Sequence, residues 1–150
     1  MRINNLFICL FFCLLFCVAC NTNYKADSLP KEQLHFGRSG GFTGATVNYI
    51  LVDSGQLFED TKDDTRAEVG KIPAGKAKKL LKRASELKWN SVPKPPPGNM
   101  NSTLAYHSLD GYVFQMNWTR PDMPNLEGFT SLHQDLLKAY QAQVQVEPKQ

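Results

Sequence analysis

Beyond position 20 the sequence contains no cysteine. All four cysteines, Cys9, Cys13, Cys17 and Cys20, lie in the first twenty residues. If the chain is cleaved before Cys20, the mature protein holds one thiol and can form no internal disulfide. A small domain without disulfides needs large side chains to bury enough area, so we expect most of its aromatic residues in the core.

The sequence also lacks an excess of either charge. Arg2 is one of 17 basic residues, so removal of residues 1–19 leaves 16 basic residues against 14 acidic ones. This balance predicts no nucleic-acid partner. His35, His107 and His133 form neither an H-x-x-x-H nor an H-E-x-x-H pattern. We therefore expect partly exposed histidines, no metal site and no cofactor.

Long apolar runs are missing as well. The apolar run Leu6–Val18 has thirteen residues, which is too short to span a bilayer comfortably as a helix. It follows the positive charge of Arg2 and ends at Ala19, a pattern typical of a cleaved export signal. The sequence from Cys17 to Cys20, Cys-Val-Ala-Cys, resembles the bacterial lipobox, except that its usual first residue is leucine.

The lipobox resemblance implies cleavage before Cys20 and attachment of lipid to its sulfur. We therefore expect a signal peptide over residues 1–19, and a lipid anchor with a flexible tether over 20–32. The protein would lie in the cell envelope, with membrane lipid as a partner and with the inner and outer membranes both open. The alternatives are a plain signal peptide cut near Ala19 and a stop-anchored helix.

Residues 33–146 predict a single domain, followed by a frayed tail over 147–150. A short strand over Gln33–Gly37 leads into a glycine-dense segment, and Ala45–Val52 alternates with the period of a strand. A turn at Asp53 to Gly55 predicts a returning strand, which makes this unit a hairpin or a three-stranded meander.

The remaining segments predict helices and a second hairpin. The charged residues 60–70 predict an exposed connection, and apolar residues recur at helical spacing over 73–89 and again from Phe129 to Tyr140. Asp110 and Gly111 form a strong hairpin signal. The fold class is therefore α+β, with an antiparallel sheet built from two hairpins and two helices packed on one side.

The glycine-dense segment Phe36–Gly44 is the most distinctive stretch of the chain. Four of the eight residues at positions 37–44 are glycine, which predicts a fixed backbone shape and, in our interpretation, a rigid turn that starts the sheet. The candidate binding residues are Arg38, Ser39, Gly40, Gly41, Phe42, Thr43 and Gly44.

Two further patterns in the chain have structural alternatives. Gly37 to Gly41 matches G-x-S-x-G, but a strand-like run follows in place of the helix that a nucleophilic Ser39 requires. The lysines of the first helix could rest on anionic lipid beside the anchor, with a solvated face as the alternative.

The pattern F-G-x-x-G-G-F-T-G is followed by an alternating strand, V-D-S-G-Q-L-F, a lysine-rich helix and P-P-G-N. Over residues 34–140 it looks like small lipoproteins of Bacteroidetes-type bacteria, a family without an assigned activity. More remotely, Ser39–Gly44 is similar to the opening motif of emfourin-type inhibitors of thermolysin-like proteases.

These features lead us to expect a lipoprotein with a small extracytoplasmic binding domain and no enzymatic activity. The first alternative is an inhibitor that acts on a thermolysin-like metalloprotease through the glycine-dense segment, so that the partner is an extracytoplasmic protease. The second alternative is a small serine hydrolase that uses Ser39.

Overall fold

Six antiparallel strands form one sheet in the computed structural model, which describes residues 22–40, 46–61, 65–92, 98–120 and 123–144. Cys20 and Gly41–Gly44 of the candidate site lie outside these ranges. The strands are β1 Gln33–Gly40, β2 Thr46–Leu51, β3 Gln56–Asp60, β4 Arg66–Lys71, β5 Met100–His107 and β6 Val113–Trp118. Their order across the sheet is β4-β3-β2-β1-β5-β6.

Two helices cover one face of this sheet, α1 over Ala74–Ser85 and α2 over Glu127–Val144. Both are amphipathic, and the apolar stripe of each contributes to one core with β1 and β5. Within the described residues, neither helix combines the length and the apolar character needed to cross a bilayer. The expected α+β fold, with an antiparallel sheet and both helices on one side, is confirmed.

Strand β1 lies at the centre of the sheet and pairs with β2 on one side and β5 on the other. Leu34 and Phe36 alternate with polar neighbours and are almost fully buried beneath the helices. The strand continues to Gly40, so the prediction that it ends at Gly37 is wrong. Gly37 supports a close approach between strands, because an added Cβ would lie 1.9 Å from the Val47 carbonyl oxygen.

The exposed connection that we expected over the charged residues 60–70 is wrong for Asp60, which ends β3, and for residues 66–70, whereas residues 62–64 lie outside the described ranges. Residues Arg66–Lys71 are strand β4, which pairs with β3 at the edge of the sheet. An edge strand that is largely exposed needs no apolar alternation, and Arg66, Ala67 and Glu68 are all exposed. The first unit is thus a four-stranded meander, one strand longer than the largest unit we predicted.

The segment before β1 packs against the sheet, which differs from the flexible tether expected over 20–32. Tyr24, Ala26 and Leu29 cover a second apolar cluster of Ile50, Val52 and Phe58, on the face opposite the helices. We call residues 22–30 the N-terminal strap.

The buried side chain of Gln56 holds the strap in place. Its amide oxygen accepts a hydrogen bond from Tyr24 N at 2.7 Å, and its amide nitrogen donates to Tyr24 O at 3.1 Å. One buried side-chain amide therefore satisfies both backbone polar groups of Tyr24, which holds the strap against the sheet.

Candidate binding face

The strap covers only part of the second sheet face and leaves the rest open. Along β1, β2, β5 and β6, every second side chain points to this side, as the two-residue period of a strand requires. Together they line a shallow groove of about 450 Å³. We call this groove the open face, and its polar side chains are His35, Ser39, Thr46, Asn48, Thr103, His107, Gln115 and Asn117.

A pair of stacked imidazoles lies on the open face. The rings of His35 and His107 have centroids 4.2 Å apart and planes inclined by 20°. Nε2 of His35 donates to the amide oxygen of Gln33 at 2.9 Å. Burial lowers the pKa of His35 to about 4, with further lowering from His107 and then Arg66. Burial, followed by Arg66, also lowers the pKa of His107, so both rings are neutral at neutral pH.

The candidate residues Arg38 and Ser39 lie on opposite faces of the sheet. Ser39 lines the open face, whereas Arg38 lines a smaller cavity of about 240 Å³ beside Tyr49 and Tyr140 on the helix side. Neighbouring residues of a strand point to opposite faces, so the two cannot contact one small ligand together. The segment that the sequence singled out is therefore not one continuous surface.

Gly40 ends β1 in a conformation that favours glycine. Its φ is 101°, and a Cβ on it would lie 2.3 Å from the carbonyl oxygen of Asn99. The fixed backbone shape that we predicted is present at this position. The protease-inhibitor hypothesis depends on the residues that follow, Gly41–Gly44, which lie outside the described ranges, and it stays a prediction.

Ser39 lies inside β1, paired with Thr46 and Asn101. His35 is on the same face but four residues away, and four strand residues span about 13 Å. A nucleophile and its base need hydrogen-bond contact of about 3 Å. The described geometry around Ser39 therefore offers no support for the hydrolase alternative.

His133 differs from the partly exposed histidine that we expected. It is 3% exposed on α2, and its Nε2 donates to the Gly37 carbonyl oxygen at 2.9 Å. The ring of Trp118 meets it edge-on at 5.3 Å. Burial lowers the pKa of His133 although the bond to Gly37 opposes that shift. This neutral imidazole ties α2 to the central strand.

No model of a known protein family matches this chain. A search of curated proteins finds no match either. The resemblances to Bacteroidetes-type lipoproteins and to emfourin-type inhibitors stay predictions, as does the signal sequence, and function has to be argued from these and from the open face.

The sequence did not lead us to predict the open face, although β6 contains a signal for it. In that strand Phe114, Met116 and Trp118 alternate with Gln115 and Asn117. This alternation predicts one apolar and one polar face for the strand. What the sequence does not reveal is that β5 and β1 bring their own polar side chains alongside.

Proposed function

We propose that this chain is a lipoprotein of the bacterial cell envelope that binds an uncharged ligand on its open face and catalyses no reaction. The observation that carries the proposal is the open face itself, a polar groove on a sheet whose other face is covered by the helices and whose second apolar cluster is covered by the strap. Lipid on Cys20, as implied by the lipobox resemblance, would hold this groove outside the cytoplasm.

The chemistry of the groove favours a neutral ligand rich in hydroxyl groups. Its side chains are mainly hydroxyls, amides and imidazoles. Such groups both donate and accept hydrogen bonds, as sugar hydroxyls do. Burial holds the pKa values of His35 and His107 low, so neither imidazole adds a positive charge at neutral pH. Neutral oligosaccharides are therefore the probes that suit this surface.

We expect Asn117→Ala to weaken oligosaccharide binding by about fivefold, because one hydrogen bond contributes about 1 kcal/mol. Titration of the protein with neutral oligosaccharides, followed by the NMR signals of the His35 and His107 rings, measures the affinity. The matched control is Asn90→Ala, an exposed asparagine outside the groove. If no oligosaccharide shifts the ring signals of the parent protein, the proposed ligand class is wrong.

We expect Cys20→Ser to abolish lipid attachment and to release the protein from the membrane fraction. The thioether to lipid needs a sulfur, and the serine hydroxyl cannot replace it. Labelling with a radioactive fatty-acid precursor, together with membrane fractionation, measures both effects. Cys13→Ser, the same exchange within the apolar run, is the control and should leave both unchanged. A Cys20→Ser protein that stays labelled and membrane-bound would disprove the anchor.

A further inference from the structure

One end of the sheet collects the features that would face a membrane. It is the end where β1 begins and where β2 and β5 finish, since Leu34 pairs with Leu51 and Gln33 with His107. We call it the anchor end. Gln56, which follows the turn after β2, holds the N-terminal strap at this same end.

The strap fixes where a lipid on Cys20 would emerge. Oδ1 of Asn23 accepts a hydrogen bond from Nζ of Lys71 at 2.7 Å, at the end of β4. Cys20 precedes Asn23 by three residues, and three residues of fully extended chain reach about 10 Å. The lipid would therefore leave the domain beside Lys71, at the anchor end.

Helix α1 crosses the sheet at the anchor end. It begins three residues after Lys71, and its first residue, Ala74, lies against Gly55 in the turn after β2. At its other end Ser85 lies near the hydroxyl of Tyr106, close to the end of β5. Twelve helical residues span about 18 Å, and the four strand spacings from β4 to β5 span about 19 Å.

Positive charge is concentrated along this helix and its flanks. Residues 71–88 contain seven basic residues and one acid, whereas the rest of the chain after residue 19 contains nine basic residues and thirteen acids. The one acid, Glu86, lies 3.8 Å from Lys82, and Arg83 pairs with Asp135 of α2. Lys76, Lys78 and Lys79 are exposed. Helix α1 and its flanks thus carry a basic surface, whereas the rest of the sequence after residue 19 is acidic on balance.

The tip of the β5–β6 hairpin adds apolar surface at the same end. It continues directly from His107, which pairs with the first residue of β1. Leu109, Tyr112 and Val113 are 63%, 67% and 61% exposed. Exposed apolar and tyrosine side chains beside a basic surface are typical of contact with the headgroup layer of a bilayer.

We infer that the anchor end rests on an anionic bilayer, with the lysines of α1 against lipid headgroups and the hairpin tip at the interface. The inference rests on the proposed lipid anchor at Cys20, which brings this end within reach of the membrane. Each lysine near an anionic surface favours the docked orientation, and the favourable terms add along the helix. The open face then extends from the membrane surface towards the β1–β2 connection.

To test the docking, the full lipidated protein is reconstituted into vesicles. The height of two dye positions above the membrane surface is then measured. One dye is attached through Asp110→Cys at the hairpin tip and the other through Met100→Cys at the far end of β5. Cys20 is acylated, so only the new thiol reacts. The seven steps from Met100 to His107 separate the two ends by about 23 Å. Vesicles contain a quencher-labelled lipid, in phosphatidylcholine alone or mixed with phosphatidylglycerol.

We expect strong quenching at position 110 and weak quenching at 100 on the vesicles with phosphatidylglycerol. Lys79→Glu should lower the ratio of docked to undocked protein by about fivefold or more, because the loss of one lysine near an anionic surface alone lowers it by about fivefold. Lys138→Glu on α2 makes the same charge change at an exposed position and should lower the ratio less. High salt should reduce the quenching at 110 as well.

Equal quenching at positions 110 and 100 would overturn the docking. So would quenching at 110 that changes neither with the phosphatidylglycerol content nor with Lys79→Glu. Mass spectrometry of the Cys20 peptide in the same sample reports the anchor separately. If Cys20 carries no lipid, the proposed anchor fails. The docking surface is then tested by flotation of the unlipidated chain with phosphatidylglycerol vesicles, where loss of co-flotation in Lys79→Glu supports it and no flotation of the parent overturns it.

Discussion

Gly37→Ala is expected to destabilise the protein by about 3 kcal/mol or more. The new Cβ would lie 1.9 Å from the carbonyl oxygen of Val47 and 2.9 Å from Oδ1 of Asn48. The first contact is with backbone, so relief requires β1 and β2 to move apart at the centre of the sheet. That movement would also disturb the bond from His133 to the Gly37 carbonyl. Unfolding in denaturant measures the loss.

The matched control for this change is Gly75→Ala in α1. Nothing lies within 4 Å of the Cβ that it would add, and the helix gains from the better propensity of alanine by up to about 1 kcal/mol. The same chemical change should therefore have opposite signs at the two positions. A Gly37→Ala protein that unfolds at the parent's denaturant concentration would show that β1 and β2 are not in the close contact described.

Acidification is expected to cost about 2 to 3 kcal/mol of stability through His35 alone. Its pKa falls from the ordinary 6.5 to about 4 in the folded protein, because burial, His107 and Arg66 disfavour the imidazolium. The stability that the neutral His35 ring provides is fully present above about pH 6.5. It is lost as the pH falls towards 4, because only the unfolded chain gains a proton in that interval. The expected loss of stability is smaller than the whole pKa difference would give, because the ring is partly exposed to solvent.

The free energy of unfolding, measured between neutral pH and pH 4, checks this expectation. Carboxylates also titrate in acid, so the informative quantity is the difference between the parent and His35→Gln. The glutamine variant should show a shallower decline with acid, and His133→Gln should act in the same direction because burial lowers that pKa as well. Parallel pH profiles for the parent and His35→Gln would contradict a neutral His35 in the folded protein.

Local patterns predicted the elements that depend on local chemistry. The alternation within 45–52 became β2, the Asp110 and Gly111 turn joins β5 to β6, and both apolar stripes became helices. Each of these signals lies within a few consecutive residues, and burial of one side of a helix or strand is enough to produce it. Strand β4 was not predicted, because an exposed edge strand does not require alternating apolar residues.

The candidate site was less accessible to prediction because non-local pairing assembles it. His35 and His107 are 72 residues apart and meet only because β1 pairs with β5. Glycines at 37 and 40 suggested a turn, whereas Gly37 permits close packing inside a strand. The strap could not be read from its polar composition either. It docks on an apolar cluster and on the buried amide of Gln56, and both are contributed by other segments of the chain.

The central place of β1 also sets an order for folding. Strands β2, β3 and β4 pair only with strands that are adjacent in sequence, and β1 pairs with β2 on one side, so this meander can form as soon as residues up to 71 have emerged. Pairing of β1 with β5 closes a loop of some sixty residues, which is slower because the chain entropy of that loop is lost first. Until then the apolar side of β1 lacks β5 and β6 as neighbours. The partly folded domain is therefore most vulnerable to aggregation and proteolysis in this interval.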